Sequence, residues 1–105
     1  MQKLSVREFK EYCAKLSPHK YVFSTENQEG DKVESTIRGE AEFNSMIISF
    51  NPNTIRLKSG RNHIKFERVK YIKVEEKSMI GDVFTIVCGG FSAETNDNLY
   101  TVVAQ

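Results

Sequence analysis

The residues best equipped for chemistry are cations set close together in the middle of the chain. Arg56, Lys58, Arg61, Lys65, Arg68, Lys70 and Lys73 follow one another with His63 among them, and Glu67 is the acid that interrupts the run. Charge at this density suits one kind of work, the holding of an anion: nucleic-acid phosphate, a lipid headgroup or an acidic protein surface. Two plainer readings stand beside it. Long Lys and Arg side chains form the solvated face of many strands, where they also discourage edge-to-edge pairing. The cluster could also be matched within the chain, because the segment 26–42 carries Glu26, Glu29, Asp31, Glu34, Glu40 and Glu42 against Lys32 and Arg38.

The remaining reactive side chains do not assemble into a recognisable centre. His19 follows Pro18, and His63 belongs to the cationic run; neither has a second group at the spacing that a general base or a metal site needs. Cys13 falls on the apolar face of an expected helix and Cys88 at the end of an apolar run, settings in which a thiol is inert. No serine stands in a Gly-x-Ser-x-Gly elbow. Gly89-Gly90 is not followed by a helix that could receive a phosphate. The pattern therefore predicts no catalytic residue, no metal and no cofactor, and a protein that is not an enzyme. Phe91, in the loop 89–98, is a candidate partner contact that could equally fold back on the core.

Composition suits a globular domain of modest size. The chain has 105 residues, 28% of them charged and 39% hydrophobic, with a net charge of +1. These values predict one globular domain, residues 1–105, with a core sufficient without staples and no global attraction to nucleic acid or anionic membranes. The N-terminus MQKLSVREFKEY is too charged for a signal peptide, and no apolar run reaches the ~18 residues of a membrane span. With two cysteines at no ligand spacing, a reducing compartment and a cytoplasmic location are expected. A Cys13–Cys88 bridge is a lesser alternative to two free thiols.

The elements that would position these groups are legible from periodicity. Ser5 and Glu8 have capping-box spacing, with Leu4 and Phe9 placed as a hydrophobic staple. Val6, Phe9, Cys13 and Leu16 line one face of a helix over 6–16, which Pro18 ends. Strands are expected for the rest of the chain, 21–104. Residues 21–26 and 33–37 predict an acidic hairpin. Three runs, 45–50, 54–58 and 63–67, alternate with period two and are joined by Asn51-Pro52-Asn53 and Ser59-Gly60-Arg61-Asn62, which predicts an antiparallel meander. Its inner set is Met46, Ile48, Phe50, Ile55, Leu57, Ile64 and Phe66; Arg56, Lys58, His63 and Lys65 fall outside. The phase slips at Arg68–Val69, which predicts a bulge or corner before Ile72 and Val74 resume the alternation. The run 83–88, VFTIVC, is apolar on both faces and belongs at a sheet centre, and 99–104 is the last strand. The expected fold is α+β: an N-terminal helix packed on a strongly bent antiparallel sheet or small barrel of about seven or eight strands.

The segment 63–103, read from the runs HIKFERVKYIKVEE, KSMIGD, VFTIVCGG and LYTVVAQ, resembles the second half of bacterial pleckstrin-homology-like domains. The likeness is one of hydrophobic pattern and carries no functional residue. It departs from the family at the end, where such domains place a closing helix and this chain has a strand. The resemblance implies binding of a protein or a lipid headgroup rather than catalysis.

Three functions follow as expectations. The first is a small interaction module whose basic hairpin takes a protein or anionic partner. The second is a nucleic-acid-binding accessory protein, weakened because Phe66 points inward by alternation and Tyr71 alone is placed for stacking. The third is a small barrel holding an apolar ligand. A homodimer through strand edges also stays open.

Overall fold

The computed structural model describes residues 2–16, 18, 20–24, 40–78, 81–90 and 97–105. Nine strands and one helix follow in the order β1 (Gln2–Leu4), α1 (Val6–Ala14), β2 (Tyr21–Ser24), β3 (Glu40–Phe43), β4 (Ser45–Ser49), β5 (Thr54–Ser59), β6 (Asn62–Phe66), β7 (Val69–Ser78), β8 (Gly81–Cys88) and β9 (Asn98–Ala104). They form two antiparallel sheets. The larger has the order β1-β7-β8-β9-β2-β3 and the smaller β4-β5-β6. The α+β reading holds in this coarse form. The barrel does not, because the described strands make two open sheets, and there are nine of them rather than seven or eight.

Local sequence explains most element boundaries. Ser5 Oγ accepts from the Glu8 N–H, and Glu8 Oε1 accepts from the Ser5 N–H at 3.0 Å, so the capping box is closed in both directions. The helix ends at Ala14, two residues before the expected stop. Lys15 and Leu16 then donate to the Tyr12 and Cys13 carbonyls, an i→i−3 pattern that tightens the last turn rather than extending the α-helix. Gly81 opens β8 at φ 121°, and a Cβ there would collide with the Ala104 carbonyl oxygen. The loop between β5 and β6 is the two-residue pair Gly60-Arg61, with Gly60 at φ 59°, the positive value that a tight hairpin requires.

The core lies between the sheets. Inward-facing residues of the meander (Ile55, Leu57, Ile64 and Phe66) pack against Phe23, Ile72, Val74, Phe84, Ile86, Tyr100 and Val102 of the larger sheet. Phe66 meets Phe23 at 5.7 Å and Tyr100 at 5.1 Å between ring centroids. α1 covers another part of the same inner face: Phe9 sits edge-on to Phe84 at 4.9 Å, and Tyr12 meets the same ring at 6.1 Å. As β8 is third in the order of six strands, VFTIVC is central, as its two apolar faces predict.

The slip at Arg68 turns out to be a change of sheet. Arg68 adopts φ 54°, and the β7–β8 register shifts between Val69 and Tyr71. The left-handed residue and the bulge swing the chain out of the meander and into the larger sheet, where the expectation had been one continuous bent sheet. Two other differences concern pairing. β2 pairs with β3, residues to which the sequence reading assigned no strand, while the expected partner 33–37 lies outside the described residues. β1 pairs with β7 through Leu4↔Ile72, a strand that the short QKL segment does not announce.

Candidate functional site: the outer face of the three-stranded sheet

Alternation along β5 and β6 turns four of the eight candidate residues to one surface. The cross-strand register pairs Arg56 with Lys65 and Lys58 with His63, and all four side chains are exposed. β4 extends the grid on the other side, with Ile47 opposite Arg56 and Ser45 opposite Lys58. Two rows result, Ile47–Arg56–Lys65 and Ser45–Lys58–His63. Ile47 is 47% exposed, the one large hydrophobic side chain of that degree among the described residues. It was not among the predicted site residues. Its signal was present in SMIIS, where an apolar residue occupies the polar phase of the alternation.

The Arg56–Lys65 pair is unfavourable to the free protein. Like charges directly opposite each other across antiparallel strands are destabilising. Among the described residues the ion pair made by this face is Lys65–Glu67 at 3.3 Å, between side chains 39% and 62% exposed, which is a weak surface contact. Arg61 stands exposed in the turn at the end of the same hairpin.

The other cations lead elsewhere. Arg68 is the exposed corner residue. Lys70, already in the larger sheet, reaches Asp97 at 3.0 Å. Lys73 lies opposite Lys3 on β1, and the Lys3 ammonium lies 4.0 Å from the centre of the Tyr71 ring. The eight-residue cluster of the sequence is therefore a four-residue grid with Arg61 at its tip, Arg68 at the corner, and a second set, Lys70 and Lys73, on the other sheet. Tyr71, the aromatic that suggested base stacking, belongs to that second set. Phe91 and His19 lie outside the described residues.

The internal charge match is only partly within view. Of the acidic segment 26–42, residues 26–39 lie outside the described residues. Glu42 is described, and its carboxylate is taken by Lys20 at 2.8 Å at the far edge of the larger sheet, not by the grid.

Beyond the grid, the described residues hold two thiols and a cleft. Cys13 and Cys88 are both free, and burial pushes each thiol up to about 12, with the Asp82 charge adding to the effect at Cys13. At neutral pH neither is a nucleophile. Among the described residues no group of three or more His, Cys, Asp and Glu side chains could hold a metal. A cleft of about 210 Å³ beside α1 is lined by Gln2, Leu4, Glu8, Glu11, Tyr12 and Lys15. It is small and largely polar, unlike the apolar pockets of ~300 Å³ or more that hold small molecules. No helix among the described residues is long and apolar enough to cross a membrane.

Comparison with protein-family models, curated proteins and solved structures found no match.

Proposed function

We propose that this chain is a non-catalytic interaction module that receives an anionic surface of a partner protein on the outer face of β4-β5-β6. One observation carries the reading: Arg56 faces Lys65 and Lys58 faces His63, in register and exposed. An arrangement that costs the free protein stability is relieved when carboxylates fill the spaces between the cations. Ile47, exposed beside Arg56, supplies the apolar contact that a protein partner rewards and a simple ion does not.

Nucleic acid is the second reading. The grid offers cations for phosphates, but no Phe, Tyr or Trp stands in either of its rows, only the His63 imidazole, and base stacking contributes much of single-strand affinity. The resemblance to pleckstrin-homology-like domains is consistent with either, since it implies binding without indicating a site.

Titration of poly-L-glutamate and of a single-stranded oligonucleotide, each at 50 and 200 mM salt, tests the proposal. Poly-L-glutamate is expected to bind in a salt-sensitive manner, and Arg56→Glu with Lys58→Glu to abolish binding. If only the oligonucleotide binds, with affinity falling steeply with salt, the second reading replaces the first. Binding of neither removes both.

A further inference from the structure

The hairpin that builds the cationic grid also determines which of its backbone groups point out of the sheet. Gly60-Arg61 is a two-residue loop closed by the Ser59↔Asn62 pair. In such a hairpin the closing residues exchange backbone hydrogen bonds. Bonded and non-bonded pairs then alternate along antiparallel strands. Leu57↔Ile64 and Ile55↔Phe66 are therefore bonded pairs, whereas Lys58↔His63 and Arg56↔Lys65 are non-bonded. Two consequences follow. Both non-bonded pairs are of the closer kind, with Cα atoms ~4.5 Å apart, which sharpens the Arg56–Lys65 repulsion. The N–H and C=O groups of His63 and Lys65 point away from β5, toward the far side of β6. In the strand order β4-β5-β6, that side is the edge of the sheet among the described residues.

We infer that β6 accepts an extended acidic segment of a partner protein as a fourth antiparallel strand, with carboxylates at alternate positions opposite His63 and Lys65. The inference rests on the anion-binding reading above and adds the form in which the anion arrives. Residues placed opposite His63 and Lys65 by backbone bonding project on the outer face, beside the grid. A partner with acids at every second position therefore satisfies backbone groups that no described strand pairs with and offers carboxylates to Lys65, which Glu67 engages only weakly at the surface. The Lys65 charge selects against a second copy of this chain, since antiparallel pairing of β6 with itself about Lys65 sets that charge against its own kind. Within the partner strand, the intervening residues face the inner side, near Ile64 and Phe66, and are best apolar or Thr.

The test uses the intact protein and the blocked peptide Thr-Glu-Val-Glu-Val-Glu-Thr in three forms: unmodified, N-methylated at the Glu amides, and N-methylated at the Val amides. Poly-L-glutamate serves as the reference polyanion. In the inferred register the Glu amides donate to β6 and the Val amides face away. The expected result is binding of the unmodified and Val-methylated peptides, a loss of about tenfold or more for the Glu-methylated one, and slowed hydrogen exchange at the His63 and Lys65 amides. Equal binding of all three peptides, greater loss on Val methylation, or binding of poly-L-glutamate without the peptide would overturn strand addition and leave the anion-binding reading standing. Failure of every polyanion to perturb the face would remove both. A stable dimer joined through β6 in sedimentation would also overturn the inference.

Discussion

Reversing the charge of Arg56 should make the free protein more stable while it destroys binding. Position 56 faces Lys65 directly and shares its face with Lys58 two residues along β5. A like-charged cross-strand pair costs roughly 0.2–1 kcal/mol, and an opposite-charged pair returns a similar amount. Arg56→Glu therefore changes the Lys65 interaction by about 1 kcal/mol. Glu67, already paired with Lys65 at 3.3 Å, lies diagonally across from position 56 and repels the new carboxylate, which reduces the gain. A net stabilisation of ~0.5–1 kcal/mol remains, or an increase of roughly 0.5 M in the urea midpoint for a domain of this size. The side chains are solvent-exposed, so the gain depends on salt. At 1 M the screening length is ~3 Å, and the shift should vanish. Paired urea titrations of the native and R56E proteins at 20 mM and 1 M NaCl measure this. A destabilised variant, or a gain that survives 1 M salt, would refute the assignment of mutual repulsion to the grid. A stabilised variant that still binds poly-L-glutamate like the native protein would show the grid to be an ordinary solvated face.

Four further outcomes test the scaffold that presents the grid. Ser5→Ala opens the capping box and should cost about 1 kcal/mol in urea denaturation. Because the bonds to Ser5 hold the Glu8 carboxyl below its usual range, the stability that Glu8 adds is present above that range and lost as the pH falls through the lowered folded value; Glu8→Gln should flatten this acid dependence. Phe84→Ala removes the ring on which Phe9 and Tyr12 both rest and should cost ~3–5 kcal/mol, read as a fall in denaturation midpoint with loss of helix docking. Both thiols, pushed up to about 12, should resist alkylation at pH 8 in the folded protein and react on unfolding; stability should fall as the pH rises from the ordinary thiol value of 9.0 toward about 12, where the unfolded chain ionises first.

The sequence made some of this architecture plain and hid the rest for identifiable reasons. Strict alternation in TIRLKS and NHIKF, joined by Ser-Gly-Arg-Asn, determines which residues share a face, so the grid was legible residue by residue. The slip at Arg68 was legible as a discontinuity but not as a change of sheet. A bulge within one sheet and a transfer between two produce the same one-residue phase shift. Lys70 and Lys73 were consequently grouped with cations from which the corner separates them. EAEF alternates as well as any strand here, with Ala41 and Phe43 inward and Glu42 outward, but its acids drew attention to charge rather than period. β1 is three residues long, too short for any periodicity, and is held by pairing with β7 rather than by its own preference.

The most direct test of the central claim is a map of backbone amide shifts during titration with poly-L-glutamate at low salt. The account predicts that the largest changes fall on Arg56, Lys58, His63 and Lys65, with Ile47 beside them, and that they fade as salt is raised. Changes centred on Lys3, Tyr71 and Lys73 of the larger sheet, or no localised change at any salt, would contradict it.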